Sequence, residues 1–190
     1  MRFGLKKRTT SVFDGWRELS SIGEKEKFSE FGIVVHSKVN EAVELYCKSE
    51  LKKEVGGVLI GLDKNEKQVE IVGAIEAKYA EHQAASLTFT HQSWEYIHEV
   101  KERKYPKLKI VGWFHTHPGY GIFLSSYDIF IHKNFFSLPY QVALVIDPCQ
   151  NQRGFFAWKD EKVIKLPNYY VGVNQEKIPD LKLKLEGIKS

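Results

Sequence analysis

Cysteine is scarce in this chain, with two residues in 190, Cys47 and Cys149. Neither belongs to a Cys-x-x-Cys pair, which argues against a disulfide framework and predicts free, buried thiols in a reducing compartment. Long apolar runs are missing, so no segment reads as a membrane span. The charged start, Met1 to Thr10, is not followed by the apolar stretch of a secretory signal. The expected location is therefore cytoplasmic. A dominant charge of one sign is missing too. Lys and Arg number 28 against 24 Asp and Glu, a net charge of +4. The two signs are interspersed, which argues against a nucleic acid partner. The clearest basic cluster, Lys6-Lys7-Arg8, reads as a solvated terminus.

What is present suits one folded domain: 43% hydrophobic and 13% aromatic residues, enough for a core and too much for a disordered chain. The first 30 residues have weak periodicity and a Glu24-Lys25-Glu26-Lys27 run, and read as an N-terminal extension, partly ordered through Phe13 and Trp16. The domain proper is expected over residues 31–170, and a Lys-rich tail over 171–190. Within the domain, Phe31 to Val35 reads as a strand and Ser37 as the cap of a helix that presents Val39, Ala42, Val43, Tyr46 and Cys47 on one face. Strands are predicted at Glu54 to Gly61, Val69 to Ala77, Ser86 to Thr90, Leu108 to Phe114 and Gln141 to Ile146, with a hairpin from Gly154 to Leu166. Helices are predicted at Gln92 to Lys104 and from Ser125 or Ser126 to about Asn134. Short turns join many adjacent strands, so the fold class is α/β or α+β: a mixed, mostly antiparallel central sheet flanked by helices.

The chemistry concentrates between Gly112 and Asp128. His115 and His117 stand two apart in a predicted strand, so their imidazoles point to the same side. The loop behind them contains Gly119 and Gly121 and returns the chain to Asp128, one turn into a helix. Two histidines and an aspartate suit Zn2+, one ion per chain, and three protein ligands leave a position open for water, as in catalytic sites. Hydrolysis also requires a base for that water. Glu54, at the entry to the glycine-rich strand Gly56 to Gly61, is the candidate. Ser125 is placed to donate a hydrogen bond to a developing oxyanion. Ser125-x-x-Asp128 is also the pattern of a helix capping box, and the two roles are compatible.

Glu54-Val-Gly-Gly-Val-Leu-Ile-Gly61, followed by His115-Thr-His-Pro and by Ser125-x-x-Asp128, resembles the JAMM (MPN-type) zinc metallopeptidases. The likeness runs over roughly Phe31 to Leu166. It implies an MPN, cytidine-deaminase-like fold, zinc on His115, His117 and Asp128, Glu54 as acid/base and Ser125 at the oxyanion. It also implies an isopeptidase or peptidase cutting after the C-terminus of a ubiquitin-like protein. The partners so implied are a ubiquitin-like or sulfur-carrier-type protein or its conjugates, and E1/E2-like enzymes of the same pathway. Some similar proteins are encoded in antiviral conjugation systems. Thr116 stands where many eukaryotic members have serine, and the compact size is more like the prokaryotic members. The alternative is a non-catalytic MPN-type scaffold, against which the complete residue set argues. Small-molecule deamination would call for a His/Cys/Cys set that Cys47 and Cys149 do not supply.

The remaining histidines, His36, His82, His91, His98 and His132, lack partners at ligand spacing and read as surface or core residues, although His132 shares a helix face with Asp128. Tyr120 and Phe123 lie on the loop beside the expected metal. Asp147 reads as a turn residue before Pro148.

Overall fold

A computed structural model describes residues 16–23, 31–64, 67–83 and 86–174. Nine strands form one sheet in the order β1-β11-β2-β4-β3-β7-β8-β9-β10. They are β1 (Trp16–Gly23), β2 (Gly32–His36), β3 (Gly56–Asp63), β4 (Gln68–Glu76), β7 (Lys109–Thr116), β8 (Val142–Asp147), β9 (Gln152–Lys159), β10 (Lys162–Lys165) and β11 (Asn168–Asn174). A separate hairpin pairs β5 (Glu81–Gln83) with β6 (Ser86–Thr88). The described residues also form three helices, α1 (Ser37–Lys48), α2 (His91–Lys104) and α3 (Ser126–Phe135). The pairs β11–β2, β2–β4 and β7–β8 are parallel and the other five antiparallel. The expected mixed, mostly antiparallel sheet is thus what the chain forms.

Strand alternation sends apolar side chains to both faces, so the sheet needs cover on each side. On one face, Ile33, Val35, Leu59, Phe114, Leu144 and Ile146 pack with Val39, Val43 and Cys47 of α1. On the other, Val58, Ile60, Trp113 and Val145 pack with Ile97 and Val100 of α2 and Ile131 of α3. The helical face predicted for α1 is therefore the buried one. No helix among the described residues is long and apolar enough to cross a membrane.

Several local expectations change. Ser37 is the first residue of α1 rather than its cap. The N-cap position is His36, with no side-chain cap bond, because β2 runs directly into the helix. The cap of α2 is Thr90, whose hydroxyl accepts from the Ser93 N–H at 3.1 Å. Cys47 is buried as expected, but Cys149 is exposed in the turn after β8. The sheet also reaches past the expected 31–170 bounds. Strand β1 lies within the anticipated extension and pairs antiparallel with β11, which continues to Asn174. A one-strand segment is hard to recognise from its own periodicity because its partner lies about 150 residues away in sequence. The Lys6-Lys7-Arg8 cluster, Phe13, the Glu24 to Lys27 run and the tail from residue 175 lie outside the described residues.

Candidate metal centre

Strand β7 carries Trp113, His115 and, just beyond its end, His117 on the face shared with α2 and α3. His117 remains in sheet-like register, since its N–H donates to the Ile146 carbonyl at 2.8 Å. Strand β3 runs antiparallel to β7 with Gly56 opposite His115. This register carries Glu54 from 61 positions upstream to the histidines. Two further bonds fix it there: the Val55 N–H donates to Thr116 Oγ1 and the Thr116 N–H to the Val55 carbonyl, both at 2.9 Å. A serine hydroxyl would serve equally, so the threonine leaves the site intact. Glycine is required at 56 because a Cβ there would collide with the Phe114 carbonyl oxygen and the Leu87 side chain of β6.

Asp128 arrives from the first turn of α3. Ser125 caps that helix: its Oγ accepts from the Asp128 N–H at 3.1 Å, while Asp128 Oδ2 accepts from the Ser125 N–H at 2.7 Å. The capping box is therefore real, and Ser125 uses its oxygen for it while its hydroxyl proton stays available for donation.

The result is a buried cluster. His115 Nε2 lies 3.0 Å from His117 Nε2. Asp128 Oδ1 is 3.3 Å from His115 Nε2, and Oδ2 is 3.3 Å from His117 Nε2. Glu54 Oε1 stands 3.8 Å from His117 Nε2. None of these four residues is more than 4% exposed. Burying a charge without compensation costs several kcal/mol, and here two carboxylates are buried side by side. His115, His117 and Asp128 form a group able to hold one metal ion. Tetrahedral zinc with bonds of about 2.0–2.2 Å sets its ligand atoms roughly 3.3–3.6 Å apart. The separations in this cluster come within a few tenths of an ångström of that spacing, so the donor set fits the ion.

The electrostatics separate the roles. Burial pushes the Asp128 carboxyl up, but hydrogen bonds from His115 and His117 outweigh it and hold the group well below the usual carboxylate range. Burial lowers His115, with Asp128 opposing it. Burial also pulls His117 down, yet the hydrogen bond and charge of Asp128 leave it raised. Glu54 behaves in the opposite way to Asp128. Burial pushes it up to about 7, helped by the charge of Asp128 and opposed by His117. One carboxylate is thus held ionised, and the other sits near neutrality, the kind of separation that acid/base chemistry uses.

The model of one family, JAB1/Mov34/MPN/PAD-1 ubiquitin protease, matches residues 31–138 of this sequence. The chain belongs to the JAB1/Mov34/MPN/PAD-1 family. Among the proteins it is similar to, an NAD(+) hydrolase TcpA of a Theionarchaea archaeon is 36% identical over 93 residues, 44% of this chain and 28% of that protein. The 26S proteasome regulatory subunit rpn11 of Schizosaccharomyces pombe is 45% identical over 56 residues, 29% and 18% of the two chains. The ubiquitin carboxyl-terminal hydrolase RPN11 of Saccharomyces cerevisiae is 48% identical over 46 residues, 24% and 15%. The chain thus spans less than a third of the length of each of these curated relatives. The solution structure of protein DSY2949 from Desulfitobacterium hafniense shares the fold. Its TM-score is 0.57 at 18% identity, with 77% of this chain and 97% of that one covered.

Three residues around this MPN site were not assigned their roles by sequence reasoning. Trp113 stacks on His115 with ring centroids 4.4 Å apart, and its Nε1–H donates to His132 Nδ1 at 3.1 Å. His132 is completely buried, so its place is in the core supporting the site rather than on the surface. The i, i+2 spacing of Trp113 and His115 was the available signal. Asp147 is also completely buried, instead of being a simple turn residue. Phe123 stays 45% exposed, with its ring 4.7 Å from that of His117.

His132 carries a prediction. Burial lowers it from 6.5 to about 4, with His115 contributing. The unfolded chain gains a proton as pH falls below about 6.5 and the folded state does not until about 4. Stability is therefore full above that window and is lost through it, by about 3 kcal/mol. His132→Phe is expected to remove this acid-side slope in urea titrations between pH 7 and 4. At pH 7 the variant is expected to be less stable by about 1–3 kcal/mol, because the Trp113 N–H loses its buried acceptor. An unchanged slope would refute the assignment.

Proposed function

We propose that this protein is a zinc-dependent isopeptidase or peptidase that hydrolyses the amide bond after the C-terminus of a ubiquitin-like protein. The observation that carries this reading is the buried convergence of His115, His117 and Asp128 with Glu54 Oε1 3.8 Å from His117. His115 and His117 would hold the ion through Nε2 and Asp128 through its carboxylate. Bound zinc would supply an acidified water and polarise the scissile carbonyl. Glu54 takes the proton at its carboxylate and later returns it to the leaving amine, a use that its pKa near 7 favours. The Ser125 hydroxyl, fixed by the capping box, donates to the developing oxyanion.

The family and the matched proteasomal subunits support an extended modifier tail as substrate. A place for such a tail lies beside Glu54. Strand β6 pairs with β5 alone among the described residues, packs Leu87 on Gly56, and is tied to α3 by Thr88 Oγ1 and Tyr127 Oη at 2.7 Å. Strand addition at its open edge would seat an extended chain across the centre. Deconjugation, precursor maturation and processing of a sulfur carrier all use this chemistry.

The test measures zinc content and cleavage of a linear ubiquitin-like fusion, with and without chelator, in wild type and Glu54→Gln. Bound zinc together with chelator-sensitive cleavage by wild type alone is expected. Zinc binding without cleavage of fusions or conjugates would favour the MPN scaffold reading. Nicotinamide release from NAD+, tested alongside because of the archaeal relative's name, is expected to be independent of Glu54.

A further inference from the structure

We infer that Asp147 is a positioning residue for the metal centre: its carboxylate suspends the loop from Pro118 to Leu124 and so sets where His117, Ser125 and Asp128 meet. This rests on the reading of His115, His117 and Asp128 as the zinc ligands.

Asp147 ends β8, the parallel neighbour of β7, and its side chain is fully buried. Its Oδ1 accepts from the N–H groups of Cys149 and Gln150, at 2.9 and 3.0 Å, which closes its own turn. A turn-forming aspartate needs nothing more. Here Oδ1 also accepts from the Gly119 N–H at 3.0 Å, and Oδ2 accepts from the Gly121 N–H at 2.8 Å. Two of the four bonds thus cross 28 and 26 positions of sequence to the segment directly behind His117. Both glycines are left-handed, with φ of +81° and +84°, and a Cβ at either would meet nothing within 4 Å. Glycine is needed there for backbone conformation, since open space surrounds both positions. That conformation turns both N–H groups to one carboxylate.

The remaining contacts of the loop lead to the ligands. The Tyr120 N–H donates back to the His117 carbonyl at 3.2 Å, Phe123 lays its ring beside His117, and the next residue but one is Ser125, whose cap orients Asp128. Without the carboxylate, seven loop residues would join His117 to the capped start of α3 through a glycine-containing linker whose conformations cost little to exchange. Groups that orient metal ligands from outside typically contribute 10–100-fold in metal affinity.

The test is Asp147→Asn in the full chain. The amide oxygen can still accept from Gly119, Cys149 and Gln150, but its NH2 then opposes the Gly121 N–H. Three readouts are taken: zinc affinity by competition with a chromophoric chelator, the visible spectrum of the cobalt-substituted protein, and amide hydrogen exchange of the metal-free protein. The expected results are a 10–100-fold weaker zinc affinity, an altered cobalt spectrum, and faster exchange at Gly121 than at Cys149 and Gln150. Gln150→Ala, which removes only the exposed Nε2 contact to the Gly119 carbonyl, should change affinity less than about twofold. Wild-type zinc affinity and cobalt spectrum in Asp147→Asn would overturn the inference, as would weakened affinity with Gly121 still protected. If Asp147→Asn does not fold, Gly121→Ala strains the same loop without touching the carboxylate. It is expected to weaken zinc binding similarly, and unchanged binding would overturn the inference. If the wild type itself binds no zinc, the ligand assignment fails, and the exchange data on the metal-free protein still decide whether Asp147 holds the loop.

Discussion

Replacing Glu54 by glutamine is expected to slow cleavage of a ubiquitin-like fusion by about 10²–10⁴-fold, the range attributed to a positioned general acid/base, while zinc stoichiometry stays that of wild type. Glutamine keeps the size and one acceptor of the side chain but cannot take a proton, so a loss at constant zinc isolates proton transfer from metal binding. The same substitution should raise the stability of the metal-free protein. The Glu54 carboxyl is pushed up to about 7 by burial, against an unfolded value of 4.5. Its contribution is therefore fully present below about pH 4.5 and is lost as pH rises through about 7, a loss of about 3 kcal/mol. Glutamine has no charge to desolvate and escapes that loss. At pH 8 the variant should need more urea to unfold than wild type, yet be the slower enzyme. Equal cleavage by the two proteins would remove Glu54 from the mechanism.

The second large effect is expected at Asp128. Asp128→Ala should lower zinc affinity by more than the roughly 10–100-fold typical of residues that merely orient ligands, because it deletes a proposed ligand. It also deletes half of the capping box, since Oδ2 accepts from the Ser125 N–H at 2.7 Å, at a further cost of about 0.5–2 kcal/mol to the helix and the fold. Asp128→Asn divides the two losses: its amide oxygen can still accept from Ser125, but the anionic ligand is gone. Both variants should therefore lose zinc in equilibrium dialysis, and the alanine variant alone should show a clear drop in melting temperature when both are compared metal-free. Zinc retained at one ion per chain by either variant would strike Asp128 from the ligand set.

Much of this site was legible in the sequence because its strongest constraints are local. Two-residue periodicity in a strand places His115 and His117 on one side, and three-residue spacing at a helix start makes Ser125 and Asp128 reciprocal partners; both follow from backbone geometry within a few residues. The α1 face followed in the same way from its 3.6-residue repeat. One error is local, and two fall where the deciding partner is distant. Ser37 was displaced from its cap role by the way β2 enters the helix. The strand at Trp16–Gly23 exists through pairing with β11. Asp147 looked like a turn former because Cys149 and Gln150 are adjacent, while its bonds to Gly119 and Gly121 had no local trace.

The candidate ligand types, their order and the mixed sheet are legible from the amino acids alone, since these depend on residue chemistry and short-range periodicity. That Glu54 reaches the histidines follows from the assembled sheet, through the antiparallel register that sets Gly56 opposite His115. The tertiary structure also decided that one carboxylate is held ionised while the other sits near neutrality. The physical reason is the same in both cases: strand register and burial are properties of the assembled sheet. A proton's affinity for a carboxylate depends on which charges and how much water that assembly leaves beside it.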